Sequence, residues 1–163
     1  MIPCRFLSPL LLVSALAAQD APWTGTWKLA NAPDIAAAID KCTADMSFIT
    51  RPIARSRLKK LNPAYAQLSI TRGTEWVVQF EARSPVRMPL DGRAVAWTRE
   101  DGEKFMVSAK TSGDGLSIHY QGEDGARTNV FKVEGGKALR MEVTVQSAKL
   151  SKPLTYTMVY SKS

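Results

Sequence analysis

The sequence predicts a mainly β protein, a closed antiparallel up-and-down barrel of about ten strands with a two-helix lid between strands 1 and 2. From residue 65 onward, strand-length runs show a hydrophobic period of two. Glycine-containing turn signals separate these runs, and the helical periodicity is confined to one region that follows a single isolated strand. A meander of this length would expose long unpaired edges unless it closed into a barrel.

The first residues have the composition of an export signal. Arg5 precedes a mainly apolar run at 6–15, and small residues follow at 15–18. The apolar run is roughly half of the ~20 residues that a membrane-spanning helix needs, and it contains Pro9. We therefore expect a signal peptide at 1–18, a single domain at 19–163 and an exported protein, periplasmic or secreted.

Composition limits both the fold and its partners. The chain has 163 residues, of which 45% are hydrophobic, as expected for one globular domain with a sizeable core. Removal of the leader takes away Cys4 and leaves Cys42 without a partner thiol, so core packing must hold the domain without a disulfide. The net charge is +7, so the protein is basic.

The first strand and the helices are predicted from residue type and spacing. Thr24–Leu29 reads as a strand in which Trp27 supplies a large core side chain. Asp34 is a predicted helix cap, Thr50 could cap a second helix, and Asn62-Pro63 ends it. The apolar residues at helical spacing in the first helix are Ile35, Ala38, Ile39, Cys42 and Met46.

The remaining strands follow from the two-residue period and the turn signals between the runs. The predicted strands are Tyr65–Arg72, Glu75–Ala82, Val86–Pro89, Arg93–Arg99, Lys104–Thr111, Gly115–Gln121, Arg127–Glu134, Ala138–Ala148 and Leu154–Lys162. The hairpin-type connections include Arg72-Gly73, Asp91-Gly92, Asp101-Gly102, Asp124-Gly125 and Gly135-Gly136.

This order of elements resembles the intracellular fatty-acid-binding protein family of the calycin superfamily. Gly25–Leu29 looks like that family's opening strand, Phe48–Ala54 is similar to the link between its helices, and Thr155–Tyr160 resembles its last strand. Lipocalins share the Gly-x-Trp opening, but they normally lack the helix pair and end in a helix. The resemblance implies a calycin-type β-barrel that carries a small lipophilic ligand, lipid or fatty-acid-like.

The sequence departs from the family pattern at three places. Asp34-Ile35-Ala36 replaces the usual residues after strand 1, and the export signal contrasts with a cytosolic family. Many members bind a carboxylate through an Arg and a Tyr on the last strand; Tyr160 matches the Tyr, but Met158 stands at the Arg and Phe131 at a second family Arg. Because a lost charged hydrogen bond costs ~1.5 to 3 kcal/mol, we expect a neutral or mixed lipophilic ligand.

Strand parity anchored on Tyr160, together with the resemblance, predicts which side chains face the interior. For each of them alone core packing is the favoured explanation, and only the group indicates a cavity. The resemblance alone implies that His119, the sole histidine, and Gln121 face the interior. The sequence supplies no further ligands that would converge with His119 on a metal ion. The predicted ligand-binding residues are Ile35, Ile39, Trp76, Val78, Phe80, His119, Gln121, Phe131, Met141, Val143, Tyr156, Met158 and Tyr160.

A basic run in the second helix predicts a further contact surface. Ile53, Leu58 and Leu61 interleave with the charges, which gives an amphipathic cationic helix. It is either a solvated outer face or a contact with an anionic membrane, and the missing aromatic platform argues against nucleic acid. The predicted membrane-contact residues are Arg51, Arg55, Arg57, Lys59 and Lys60.

The sequence contains no pattern typical of catalysis. It has no defensible Ser/His/Asp set, no phosphate-binding glycine loop and no paired-histidine spacing. We therefore expect a monomeric binding protein without cofactor or enzymatic activity. The alternative is a barrel without a ligand that acts as a protein-interaction or inhibitor module through its rim loops.

Overall fold

A computed structural model describes residues 21–163, and the predicted leader at 1–18 lies outside the described residues. The elements are β1 (Gly25–Asn31), α1 (Ile35–Cys42), α2 (Thr50–Leu61), β2 (Gln67–Arg72), β3 (Glu75–Phe80), β4 (Val86–Pro89), β5 (Val95–Thr98), β6 (Lys104–Ser112), β7 (Gly115–Gln121), β8 (Gly125–Glu134), β9 (Ala138–Ser147) and β10 (Leu154–Lys162). The ten strands and the two helices between β1 and β2 confirm the predicted fold class. Within the described residues, neither helix has the length and apolar character that a membrane crossing requires.

One antiparallel sheet contains all ten strands in the order β4-β3-β2-β1-β10-β9-β8-β7-β6-β5. β1 pairs with both β2 and β10, so the two ends of the described chain meet in the middle of the sheet. The neighbours β4 and β5 are not joined by a backbone ladder, and the barrel is therefore nearly closed. We call this unpaired junction between β4 and β5 the seam.

The seam has a local cause in the segment between β4 and β5. Both strands have only four residues, and β4 ends at Pro89, which has no backbone N–H to donate. The predicted Asp91-Gly92 hairpin does not form a ladder: Gly92 adopts a φ of 79° and its N–H donates to the Pro89 carbonyl at 3.4 Å. The chain turns here without pairing the flanking strands.

The hydrophobic core fills the barrel interior around the middle of β10. Trp27, with no exposed surface, donates its indole N–H to the Trp23 carbonyl oxygen at 3.0 Å. Alternate residues of β10, from Leu154 to Tyr160, are buried, which confirms the predicted inward face of that strand. Side chains with no exposed surface include Leu68, Ile70, Leu116, Phe131, Met141 and Tyr160.

The helices are attached to the barrel unequally. Asp34 caps α1, as predicted, because its carboxylate accepts the Ala37 N–H at 2.9 Å; Ile39 and Cys42 are buried, and α1 packs against β10 and α2. The predicted Thr50 cap is wrong, since Thr50 is already helical and its N–H donates to the Ser47 hydroxyl at 3.2 Å. Leu58 is the one fully buried side chain of α2. The lid is therefore anchored mainly through α1.

Candidate ligand-binding cavity

A cavity of about 620 Å³ opens between α2 and the rim of the barrel. On the lid side it is lined by Ile53, Ala54, Leu58 and Leu61 of α2. Because these side chains are apolar, the space presents to a ligand the kind of surface that excludes water. The rest of the lining combines aromatic residues with a polar group at the start of β8 and with charged residues that include Arg83, Arg99, Glu100 and Lys149.

Two clusters of aromatic rings build the barrel side of this cavity. Trp97, Phe105 and Tyr120 from β5, β6 and β7 form one cluster, with ring centroids 5.9 to 6.5 Å apart. Tyr65 and Phe80 stack at 4.8 Å on the other side of the seam. These separations lie in the range of favourable aromatic pairs, so the wall is preformed.

A polar network stands inside the cavity where α2 ends. Arg127 of β8 donates from Nε to Asn129 Oδ1 at 2.9 Å, from Nη1 to Asn62 Oδ1 at 3.0 Å and from Nη2 to the Tyr156 hydroxyl at 3.3 Å. The Tyr156 hydroxyl donates to Asn62 Oδ1 at 3.2 Å, and Asn62 Nδ2 donates to the Leu58 carbonyl at 2.9 Å. The network therefore ties the C-terminal end of α2 to the inner wall of the barrel.

Burial sets the ionisation of the tyrosines in this region. Desolvation raises the pKa of Tyr120 to about 12 and also raises the pKa of Tyr156, although the nearby Arg127 opposes both shifts. The two phenols therefore stay neutral well above physiological pH. Tyr156 remains a hydrogen-bond donor to Asn62 and an acceptor from Arg127.

Ion pairs connect the loops that border the seam at the cavity mouth. Glu100 accepts the Ser84 N–H at 2.8 Å and lies 3.5 Å from Arg83, which lowers the pKa of the Glu100 carboxyl. Arg99 pairs with Asp101 at 2.7 Å and also with Glu103, and its hydrogen bond lowers the pKa of Asp101 to about 2. The Glu100 contacts link the β3–β4 loop to the β5–β6 turn across the seam, whereas the Arg99 pairs lie within that turn.

Some predicted binding residues lie at the cavity and others lie away from it. Phe80 lines the cavity and Tyr156 belongs to the polar network. Ile35 and Ile39 lie on α1, and neither lines the cavity. Buried residues that do not line the cavity are Trp76, Val78, Phe131, Met141, Val143, Met158 and Tyr160. The open space therefore lies nearer the lid than the sequence predicts, and the binding roles of these residues stay predictions.

The predicted orientation of His119 and Gln121 is wrong. Both side chains are exposed on the outer face of β7, where His119 Nδ1 lies 3.0 Å from the Thr128 hydroxyl. The inward positions of β7 are taken by Leu116, Ile118 and Tyr120, which are buried. The two polar residues alternate with these three, so they must face solvent.

Sequence reasoning missed Arg127, Asn62 and Trp97. Arg127 could have been found, because it is four residues before Phe131 and residues an even number apart share a strand face. Asn62 was taken only as part of a helix stop, and nothing local predicts its contact with a residue 65 positions away. Trp97 lies on a strand whose pairing partners depend on the whole barrel.

The basic residues predicted to contact a membrane have different environments. Arg51 donates to the carbonyls of Ala44 and Met46 at 2.6 and 2.7 Å, and Arg55 pairs with Asp40 at 3.0 Å, so these two stabilise the helix pair. Arg57, Lys59 and Lys60 are exposed. Beside them are three exposed apolar side chains, Phe48 (83%), Ile49 (64%) and Ile53 (67%), which we call the lid patch.

The strand order and the helices between β1 and β2 together define a ten-stranded antiparallel barrel with a two-helix lid. More particularly, the chain has the fold of the fatty-acid-binding proteins. Human cRBP IV matches with a TM-score of 0.57 and 20% identity over 86% of this chain and 98% of that chain. No family model and no curated protein matches the sequence.

Two further solved structures share the fold with similar TM-scores and sequence identities. A Schistosoma mansoni fatty acid binding protein in complex with arachidonic acid matches with a TM-score of 0.59 and 16% identity, over 88% of this chain and 97% of that chain. Zebrafish ileal bile acid-binding protein with cholic acid matches with a TM-score of 0.53 and 14% identity, over 87% and 99%. The TM-scores show a common fold, and arachidonic acid and cholic acid are ligands of those proteins.

Metal-ligating side chains do not converge in the part of the chain that the structure describes. No group of three or more His, Cys, Asp or Glu residues is placed to hold a metal ion within residues 21–163. Cys42 is buried, and burial raises the pKa of its thiol. The cavity is thus the feature of these residues with the clearest capacity to bind a small molecule.

Proposed function

We propose that the protein binds and carries a small lipophilic ligand in the mouth cavity. The observation that carries the proposal is an apolar and aromatic space of about 620 Å³ between the lid and the barrel. Ligand sites in proteins have volumes of roughly 300 to 1,000 Å³, so this space is of suitable size. The structural neighbours include fatty-acid- and bile-acid-binding proteins, which supports the same ligand class.

The expected affinity follows from burial of the ligand. Each methylene removed from water contributes ~0.8 kcal/mol, so ten methylenes contribute roughly 8 kcal/mol before ordering costs. Micromolar binding corresponds to about 8 kcal/mol net. We therefore expect low-micromolar or weaker binding for a simple chain, with polar contacts at Arg127 available to strengthen it.

Two measurements on the purified protein test this function. We expect native mass spectrometry to detect a co-purified lipophilic molecule, and we expect a neutral apolar dye such as Nile red to gain fluorescence on binding with one-to-one stoichiometry. Absence of both signals would contradict the carrier function. It would favour the barrel without a ligand that acts through its rim loops.

We propose further that the lid patch docks the protein on an anionic membrane surface. Exposed large apolar side chains that adjoin cations match the pattern of an interfacial helix. Ile53, Arg57 and Lys60 share one side of α2 by their spacing, and Ile53 and Arg57 also line the cavity. Docking at this place would bring the cavity mouth to the lipid surface, from which a ligand could enter.

Vesicle binding measures the contribution of the lid patch. We expect the triple substitution Phe48→Ser/Ile49→Ser/Ile53→Ser to weaken binding to phosphatidylglycerol-containing vesicles at least about tenfold, because burying one such side chain is worth ~1.5 to 3 kcal/mol. Raised salt should weaken the wild type as well, since each Lys or Arg adds ~1 kcal/mol. Co-sedimentation provides the readout.

Met106→Ser is the matched control, because Met106 is an exposed apolar residue (46%) on β6, outside the lid patch. It should bind vesicles as the wild type does. Unchanged vesicle binding by the triple variant would refute docking through this patch.

A further inference from the structure

We infer that Trp97 is a stacking platform for a flat conjugated ring, so that the preferred cargo is a planar aromatic molecule held beside the seam. This inference rests on the proposed function and narrows its ligand class. Burial of apolar surface alone does not separate a flat ring from a saturated ring of the same skeleton, whereas stacking on an indole does.

Trp97 differs from the other tryptophans in its exposure. Three of the four tryptophans, Trp23, Trp27 and Trp76, lie in the core and are at most 4% exposed. Trp97 is only half-buried, and it lines the cavity. An indole that faces an apolar space without being covered by the protein leaves a large apolar surface for a ligand to bury.

Neighbouring rings hold the Trp97 indole in place. Its ring centroid lies 5.9 Å from that of Phe105 and 6.1 Å from that of Tyr120, at interplanar angles of 38° and 67°. Tyr120 is itself buried, so the cluster is anchored in the core. Because the indole is already positioned by these contacts, a ligand that stacks on it pays little for ordering the side chain.

Other rings of the cavity already carry cations. The guanidinium carbon of Arg83 lies 5.1 Å from the ring centroid of Tyr65, and that of Arg99 lies 5.2 Å from the ring centroid of Phe105. In the part of the chain that the structure describes, no cation is stacked over Trp97. Trp97 is therefore the ring best placed to accept the face of a ligand ring.

The seam leaves the wall beside Trp97 without a neighbouring strand. Trp97 of β5 and Val86 of β4 both line the cavity, although no backbone ladder joins their strands. The cavity therefore reaches this edge of the barrel. A ring placed against Trp97 would lie at the edge, and the remainder of the ligand would extend toward the lid, where Ile53, Leu58 and Leu61 give an aliphatic lining.

Two alcohols with the same ring skeleton test the inference. β-Naphthol is flat and conjugated, and β-decalol is its saturated counterpart; both are uncharged at neutral pH. Displacement of Nile red, corrected for the affinity of each protein for the dye, gives both affinities for the wild type, Trp97→Leu and Trp97→Phe. We expect the wild type to bind β-naphthol at least about threefold more tightly than β-decalol, because aromatic pairs contribute that much beyond burial of area. Trp97→Leu should bind the two alcohols equally, with the affinity for β-decalol unchanged, whereas Trp97→Phe should keep part of the preference.

Thr98→Leu is the control, because Thr98 is exposed on β5 next to Trp97 and does not line the cavity. It should retain the full preference for β-naphthol. Equal binding of the two alcohols by the wild type, or displacement of the dye by neither, would overturn the inference and leave the carrier function intact. A preference that Trp97→Leu keeps, or an equal loss of both alcohols in that variant, would overturn it as well. Failure of the dye itself to bind the wild type would defeat the carrier function.

Discussion

The double substitution Ala54→Trp/Val145→Trp is expected to weaken binding of a neutral apolar dye at least about tenfold. Both side chains line the cavity, one on the lid and one on β9, and both positions are only partly buried. The added indole rings would occupy the space between lid and barrel. Loss of contact with only two methylenes costs roughly 1.6 kcal/mol, which is about tenfold in affinity. A dye titration measures the change.

Ala96→Trp is the matched control, because Ala96 is exposed on β5, between the inward-facing Val95 and Trp97. This variant should bind the dye as the wild type does. Circular dichroism should show the same strand content in all three proteins, since new side chains that enter empty space do not strain the core. Full dye binding by the double variant would place the dye elsewhere, for example on the lid patch.

Trp27→Ala is expected to cause the largest loss of stability, about 3 to 5 kcal/mol of the free energy of unfolding. Trp27 has no exposed surface, and its ring N–H is satisfied by the Trp23 carbonyl. The substitution leaves a cavity in the core and an unpaired carbonyl next to it. Because small domains are stable by roughly 5 to 15 kcal/mol, this variant should unfold at much lower urea concentrations.

Phe48→Ala is the control for removal of a large aromatic side chain, since Phe48 is 83% exposed. Exposed substitutions of this kind change stability by about 0.5 kcal/mol or less. A small change for Trp27→Ala, similar to that for Phe48→Ala, would contradict the role of Trp27 as a large core side chain of β1. Urea unfolding followed by circular dichroism suits both variants.

Local patterns were sufficient for most of the architecture. The bounds of β4, β7 and β10 agree with those predicted from the sequence, because turn signals at their ends interrupt the two-residue period sharply. The Asp34 cap was also predictable, since an N-cap depends on residues within one turn. The predicted hairpin at Asp91-Gly92 failed, because β4 ends at Pro89 and the chain turns at Gly92 without pairing the flanking strands.

The inner and outer faces of strands were predictable only where a reliable anchor existed. Parity from Tyr160 placed alternate β10 residues correctly inside. On β7 the predicted face came from the resemblance and not from such an anchor. An error of one residue in the register placed His119 and Gln121 on the wrong face. Only the buried neighbours Ile118 and Tyr120 establish the correct register.

By itself the sequence determined the class of fold, the order of its elements and the lid between the first two strands, because these depend on periodicity and turn chemistry within short segments. The tertiary structure decided where the barrel is filled and where it is open. It also decided that Arg127 and Asn62, which line the cavity, meet Tyr156. These three residues come from a helix end and two strands far apart in the chain, and only closure of the sheet brings such groups within hydrogen-bonding distance.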